Sequence, residues 1–162
     1  MIVLGIDPGF SFTGFGVIKK EGNRAYLLDH GILRLSSKLS LSERIGLFYT
    51  FFIEKIKQWS IQAIALETPF LGKNAQVFLK LGYLRGIIYL LADIYKIAMH
   101  EFSPREVKLS VTGYGNAPKE QVARVVMRLF PGLNAPEKLD LTDAVAVTLC
   151  GAWKSKQYGA VI

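Results

Sequence analysis

Cysteine and histidine are nearly missing from this chain, acids are outnumbered, and no long apolar run occurs. Its 162 residues include one cysteine, Cys150, and two histidines, His30 and His100. A single thiol excludes an intrachain disulfide and fits a reducing compartment. Cys150 lies in an apolar helical run, so it reads as a small buried hydrophobe. With no Cys/His ligand pairing, a zinc site is not expected, and both histidines fall in expected strands, where they read as structural. No stretch reaches the ~18 uninterrupted apolar residues of a membrane span. The longest candidate, Gly86 to Ala92, is bracketed by Arg85 and Asp93. The opening residues lack a basic leader, and Asp7 interrupts the first apolar run, which argues against a signal peptide. A soluble, cytosolic protein is expected. Polar low-complexity tracts and internal repeats are also missing, while 51% of residues are hydrophobic. One domain spanning residues 1–162, large enough for a real core, is the expectation.

The shortage of acids carries information. Twenty Lys and Arg stand against thirteen Asp and Glu, for a net charge of +7 and a sequence pI near 9.5. Such a balance favours a polyanionic partner and says nothing about fold. Were four acids withdrawn into a site, nine would remain against twenty basic residues, and the basic surface would be stronger still.

Residue patterns give an α/β order. Met1 to Ile6 is a β-branched apolar run closed by Asp7-Pro8-Gly9, a turn signal. Phe12 to Ile18 and Ala25 to Leu35 are two further strands joined through Lys20-Glu21-Gly22-Asn23, so the chain opens with an antiparallel meander. Ser42 to Trp59 has helical spacing of Ile45, Phe48, Phe52, Ile53 and Ile56. Ile61 to Leu66 is a short buried strand ending at Glu67. A long helix from Asn74 to about Ile97, a strand from Ala98 to Phe102 and a helix opened by Pro104 follow. Lys119 to Phe130 and Asp140 to Lys156 are the last helices. Strands separated by helices add in parallel to the meander. The expected architecture is a five-stranded mixed sheet with helices on both faces.

Within that frame four acids stand out. Asp7 and Glu67 fall at the carboxyl ends of the first and fourth strands, where open α/β sheets place their sites. Asp140 and Asp143, three apart, share one face of a helix start. Each has an ordinary explanation: strand-end carboxylates are usually solvated, and aspartates at a helix start cap N–H groups and suit the macrodipole. If the last helix crosses the strand ends, however, the four converge. Ionised pairs ~4 Å apart would repel by roughly 4 kcal/mol at an effective dielectric near 20. Divalent cations remove that conflict, and an all-oxygen donor set points to Mg²⁺ or Mn²⁺.

At these residues the sequence resembles the RuvC family of Holliday junction resolvases. Gly5-Ile6-Asp7-Pro8-Gly9 with Thr13-Gly14-Phe15-Gly16 is similar to that family's opening. Glu67 with Phe70, then Lys73-Asn74-Ala75 and Leu79-Lys80-Leu81-Gly82, resembles its second block. Val107-Lys108 and Gly113 to Val122 resemble its third, and Asp140-Leu141-Thr142-Asp143-Ala144 its closing acidic motif. Four blocks in order cover nearly the whole chain. The resemblance implies a ribonuclease H-like (retroviral integrase superfamily) fold, a homodimer, and paired incisions in four-way DNA junctions during recombination and repair. It further implies Asp7, Glu67, Asp140 and Asp143 as metal-binding catalytic acids for two Mg²⁺ ions per site, with Mn²⁺ a working substitute. Lys108 and Lys119 become basic residues near the scissile phosphate, Phe70 an aromatic stacking on junction bases, Lys73 a DNA contact, and RuvA–RuvB the branch-migration partner. Two departures stand out: Phe10 is bulky where small or polar residues are common, and Leu141-Thr142 replaces small residues between the aspartates.

Other readings share parts of this pattern. Actin-like kinases also use Gly-x-Asp-x-Gly, but they close two related domains over a nucleotide and this chain has room for one. A plain ribonuclease H would use the same acids on a hybrid duplex. A catalytically silent junction-binding module would need the basic surface but not four acids.

Overall fold

The structure, a computed structural model, describes residues 1–68, 75–133 and 140–154, with only the backbone of Asp140 included. Three strands open the chain: β1 (Ile2–Asp7), β2 (Phe12–Glu21) and β3 (Arg24–Arg34). They form an antiparallel meander, Ile2 pairing with Lys19 and Glu21 with Arg24. The β2–β3 turn is tighter than the sequence suggested, only Gly22-Asn23, and Gly22 takes φ +57°, the left-handed conformation such two-residue turns need.

Next come α1 (Leu41–Trp59), β4 (Ala63–Glu67), α2 (Ala75–Ile94), β5 (Ala98–Phe102), α3 (Pro104–Thr112), α4 (Lys119–Leu129) and α5 (Asp140–Lys154). The sheet order is β3-β2-β1-β4-β5, with β4 parallel to β1 and β5 parallel to β4. This is the expected five-stranded mixed sheet. Its parallel half comes from helices crossing between successive strands; its antiparallel half needs only short turns.

Local signals explain the helix ends. Ser40 caps α1 and Ser103 caps α3, each in a reciprocal capping box with the glutamate three residues on, Glu43 and Glu106. Such caps contribute about 1 kcal/mol each. α2 stops earlier than its apolar pattern suggests, because Lys96 turns left-handed at φ 53° and Ile97 folds back to donate to the Ala92 carbonyl. Among the described residues no helix is long and apolar enough to cross a membrane.

Two cores lie on opposite faces of the sheet. One packs α3, α4 and α5 through small and medium side chains such as Ala65, Val107, Val122, Val126, Ala146 and Cys150. The other packs α1 and α2 through Phe15, Phe48, Phe52, Leu84, Ile88 and Leu91. Cys150 is a fully buried free thiol, as its apolar surroundings suggested.

Candidate active site

Two strand ends and three helix segments meet at one cleft of about 460 Å³. Asp7 from β1, Glu67 from β4, Lys108 from α3, Lys119 from α4 and Asp143 from α5 all line it, together with Pro104, Val107, Val122 and Ala146. Five of the sequence-derived candidates therefore share one pocket. Asp140 opens α5 one helical turn before Asp143, but its side chain lies outside the described residues. Phe70 and Lys73 lie outside them too.

The β1–β2 connection is held tightly. The Thr13 hydroxyl, fully buried, donates to the Gly9 carbonyl at 2.8 Å and accepts from the Gly9 N–H at 3.2 Å. Arg44 of α1 is buried, donates to the Phe10 carbonyl, and lies 3.9 Å from the Phe10 ring. The bulky Phe10, one of the departures noted in the sequence, is thus accommodated as the π-face for a guanidinium.

α5 reaches the acids because the sheet lets it come close. Gly5 and Gly16 are cross-strand partners, and Thr148 of α5 sits over them. A Cβ on Gly5 would stand 2.1 Å from Thr148 Oγ1, and one on Gly16 2.9 Å from the same atom. The Thr148 hydroxyl donates to Ala144 O at 2.7 Å and lies 3.3 Å from Gly16 O. Farther along, Gly151 leaves room for Ala65. Asp143 is brought toward the strand-borne acids by this seat.

The electrostatics describe a charge conflict partly relieved by lysine. Glu67 has its carboxyl raised above the usual glutamate value, first by burial and then by the negative charge of Asp143, while Lys119 and Lys108 oppose that rise. Lys119 Nζ donates to Asp143 Oδ2 at 2.7 Å. That bond, followed by the charges of Asp7 and Glu67, raises the lysine above its ordinary value. Lys119 is the first residue of α4, a position where the macrodipole disfavours a cation, so the acids and not the helix account for its place.

The donor chemistry fits a hard divalent cation: oxygen only, half-buried, with a glutamate whose ionisation the cleft resists. Among the described residues no three acids are close enough to form a ligand set as they stand. Asp143 is engaged by Lys119 there, and the Asp140 side chain is not among the groups described. Asp7, Glu67 and Asp143 are the described acids that line the cleft where such a cation would sit.

Residues 3–151 match the family described as crossover junction endodeoxyribonuclease RuvC. The chain belongs to the RuvC family. A relative from Pelodictyon phaeoclathratiforme of that name is 45% identical over 93% of this chain and 78% of its own length. Among solved structures, Thermus thermophilus RuvC superposes with a TM-score of 0.87 at 29% identity, covering 97% of this chain and 96% of that one. The same protein in complex with Holliday junction substrate gives 0.87 at 27% identity, covering 98% and 97%. The fold is thus ribonuclease H-like, and the family is one of Holliday junction resolvases, nucleases that depend on a divalent metal.

Sequence reasoning missed the groups that seat the site. Thr148 is a polar residue in the apolar run of α5, and Arg85, which donates to the Glu67 carbonyl at 2.8 Å, is the charge that opens the longest apolar run of α2; each was the available signal. Gly5 and Gly16 were noted only as motif letters, since their pairing across two strands appears only once the register is known.

Proposed function

We propose that this chain nicks four-way DNA junctions in symmetric pairs by phosphodiester hydrolysis, with Asp7, Glu67, Asp140 and Asp143 holding Mg²⁺. The observation that carries this reading is the single cleft where acids from β1, β4 and α5 face lysines from α3 and α4. Two ions per site, with Mn²⁺ as substitute, would activate water and stabilise the leaving 3′-oxygen when bound.

The chain's own groups do the rest. Lys119 and Lys108 neutralise the scissile phosphate and add positive charge where the transition state gains negative charge. Lys119 exchanges its bond to Asp143 for the phosphate, freeing that carboxylate. Positive charge entering the cleft offsets the burial and the Asp143 charge that disfavour the ionised form of Glu67. Phe70 stacks on junction bases and Lys73 contacts the backbone, in the segment that follows β4. Binding itself rests on phosphate neutralisation by the basic surface.

The working unit in this proposal is a cytosolic homodimer of single-domain chains, acting with RuvA–RuvB. Support for a dimer comes from α2, along which Val77, Leu79, Tyr83, Leu90 and Ile94 are exposed. Gly82 and Gly86 there have open space where a Cβ would stand. A two-fold pair would present two equivalent sites to two equivalent strands.

The test compares a synthetic four-way junction, a linear duplex and an RNA–DNA hybrid, each with and without Mg²⁺. Paired, Mg²⁺-dependent nicks confined to the junction are expected. Preferential cutting of the hybrid would make the chain a ribonuclease H, and metal-independent binding without nicks would make it a junction-binding module.

A further inference from the structure

The main-chain ladder beside Glu67 runs out at the point where the acid must be held. β1 and β4 pair from Val3↔Ala63 to Ile6↔Leu66 and no farther. The Glu67 carbonyl lies just beyond that ladder, at the edge of the cleft, where an unpaired main-chain acceptor would be costly. It is taken by a side chain: Arg85 of α2 donates from Nη1 to Glu67 O at 2.8 Å.

Arg85 is 8% exposed, and its other arm is also engaged. Nη2 donates to Glu101 Oε1 on β5, and the Tyr89 hydroxyl, one turn along α2, donates to that same oxygen at 2.7 Å. Glu101 is the β5 partner of Leu66. The guanidinium therefore spans from the β5 edge to the last residue of β4, with its plane fixed at two points. A planar fork can do this, whereas a single ammonium cannot hold both in the same geometry.

We propose that Arg85 is a positioning residue for cleavage, holding the Glu67 main chain through a Tyr89–Glu101–Arg85 relay, on the reading of Glu67 as a metal-binding acid. None of the three relay side chains lines the cleft; they act through the backbone from which the Glu67 carboxylate projects. The relay explains why a charge interrupts the apolar run of α2, and why Arg85 is buried while its neighbour Gly86 is exposed.

The test uses Arg85→Lys, Glu101→Gln and Tyr89→Phe in the full chain, with three readouts: the kcat and KM of junction cleavage, sedimentation, and calorimetric titration with Mn²⁺ alone. A graded fall in kcat is expected, roughly ten- to a hundred-fold for Arg85→Lys, less for Glu101→Gln and least for Tyr89→Phe. KM and the dimer should stay as in wild type, and Mn²⁺ affinity should weaken in the same order. If Arg85→Lys does not fold, the two milder variants on the exposed side of the relay decide the matter. Wild-type kcat and Mn²⁺ affinity in correctly folded variants would overturn the proposal. So would a loss of cleavage that appears only together with loss of the dimer, which would assign these residues to the outer face of α2. Were the wild-type chain to cut no junction at all, the proposed function would fail, while the Mn²⁺ titration would still decide whether Arg85 holds Glu67.

Discussion

The two faces of the sheet are built on different principles. On the α5 face the contacts are small: glycine, alanine, valine and one threonine let a helix lie almost on the strands. On the α1–α2 face they are large, with Phe48, Phe52, Leu84, Ile88 and Leu91 filling a deeper layer. Each face also carries polar insertions, but with different partners. Thr148 on the first donates at 2.7 Å to Ala144 O of its own helix and reaches Gly16 O of β2 at 3.3 Å, over glycines that let it sit so close. Arg44 and Arg85 on the second reach the carbonyls of Phe10 and Glu67, in the segments that carry the strand-end acids. One face delivers an acid by close approach; the other holds the strand ends with charged side chains. Close approach is unforgiving, because a backbone cannot yield locally, whereas a layer of flexible side chains can re-pack.

The largest expected effect tests whether both faces deliver essential groups. Asp7→Asn removes a strand-borne acid and Asp143→Asn one borne by α5. Each should lower junction cleavage by at least about 10²–10³-fold with junction affinity retained, as single-turnover rates and gel-shift titration would measure. Near wild-type cutting by Asp143→Asn alone would leave α5 a packing element only.

Next comes the contrast in packing. Gly5→Ala places a methyl 2.1 Å from Thr148 Oγ1 and 2.6 Å from its backbone nitrogen, so α5 must move. A cost of about 1–3 kcal/mol or more is expected, with a large loss of cleavage in the protein that remains folded. Ile88→Val on the opposite face should cost about 0.5–1.5 kcal/mol and leave kcat unchanged. Equal effects in denaturant melts and in kcat would erase the distinction between the faces.

Smaller still is the effect of Lys119→Ala. It should reduce the single-turnover rate by roughly ten-fold, more than it reduces junction affinity, because its charge serves the transition state best. A uniform loss of affinity for junction and linear DNA, without a rate effect, would make Lys119 an ordinary phosphate contact.

The smallest concerns pH. Glu67 titrates above the usual glutamate range in the metal-free fold, so its ionisation costs more in the folded chain than in the unfolded one. The stability belonging to the protonated carboxyl is present at low pH and lost as pH rises from the ordinary glutamate value through the raised one. Glu67→Gln should therefore stabilise the metal-free protein at neutral pH, and the gain should fade on acidification. A melting temperature unaffected by this substitution at every pH would remove the inferred charge conflict.

Much of this was legible in the sequence. Alternation and turn residues announced the meander, and strands separated by helices announced the parallel half. Asp7 and Glu67 were marked by their position at strand ends, and Lys119 by the resemblance that runs from Gly113 to Val122. What periodicity cannot show is which residues oppose each other across layers. On a helical wheel Val77 and Ile94 belong to one apolar arc with Leu84, Ile88 and Leu91, yet they are 49% and 51% exposed while those three are buried. The core takes only the second half of α2, from Leu84 to Ala92. Arg85 looked like the end of an apolar stretch, because its role depends on a carbonyl eighteen residues away. Thr148 and Gly5 became meaningful only through a contact between the first strand and the last helix.

Cys150 gives this protein an internal clock. The only thiol in the chain lies fully buried on α5 itself, two turns along from Asp143 on the same helix, and burial pushes its ionisation up, so a thiol reagent reaches it only when that helix lifts away. With reagent in large excess, the labelling rate counts those openings, and its dependence on reagent concentration separates rare full unfolding from brief local release. Since each such opening carries Asp143 away from the strands, the same clock times how often the assembled catalytic group comes apart and returns.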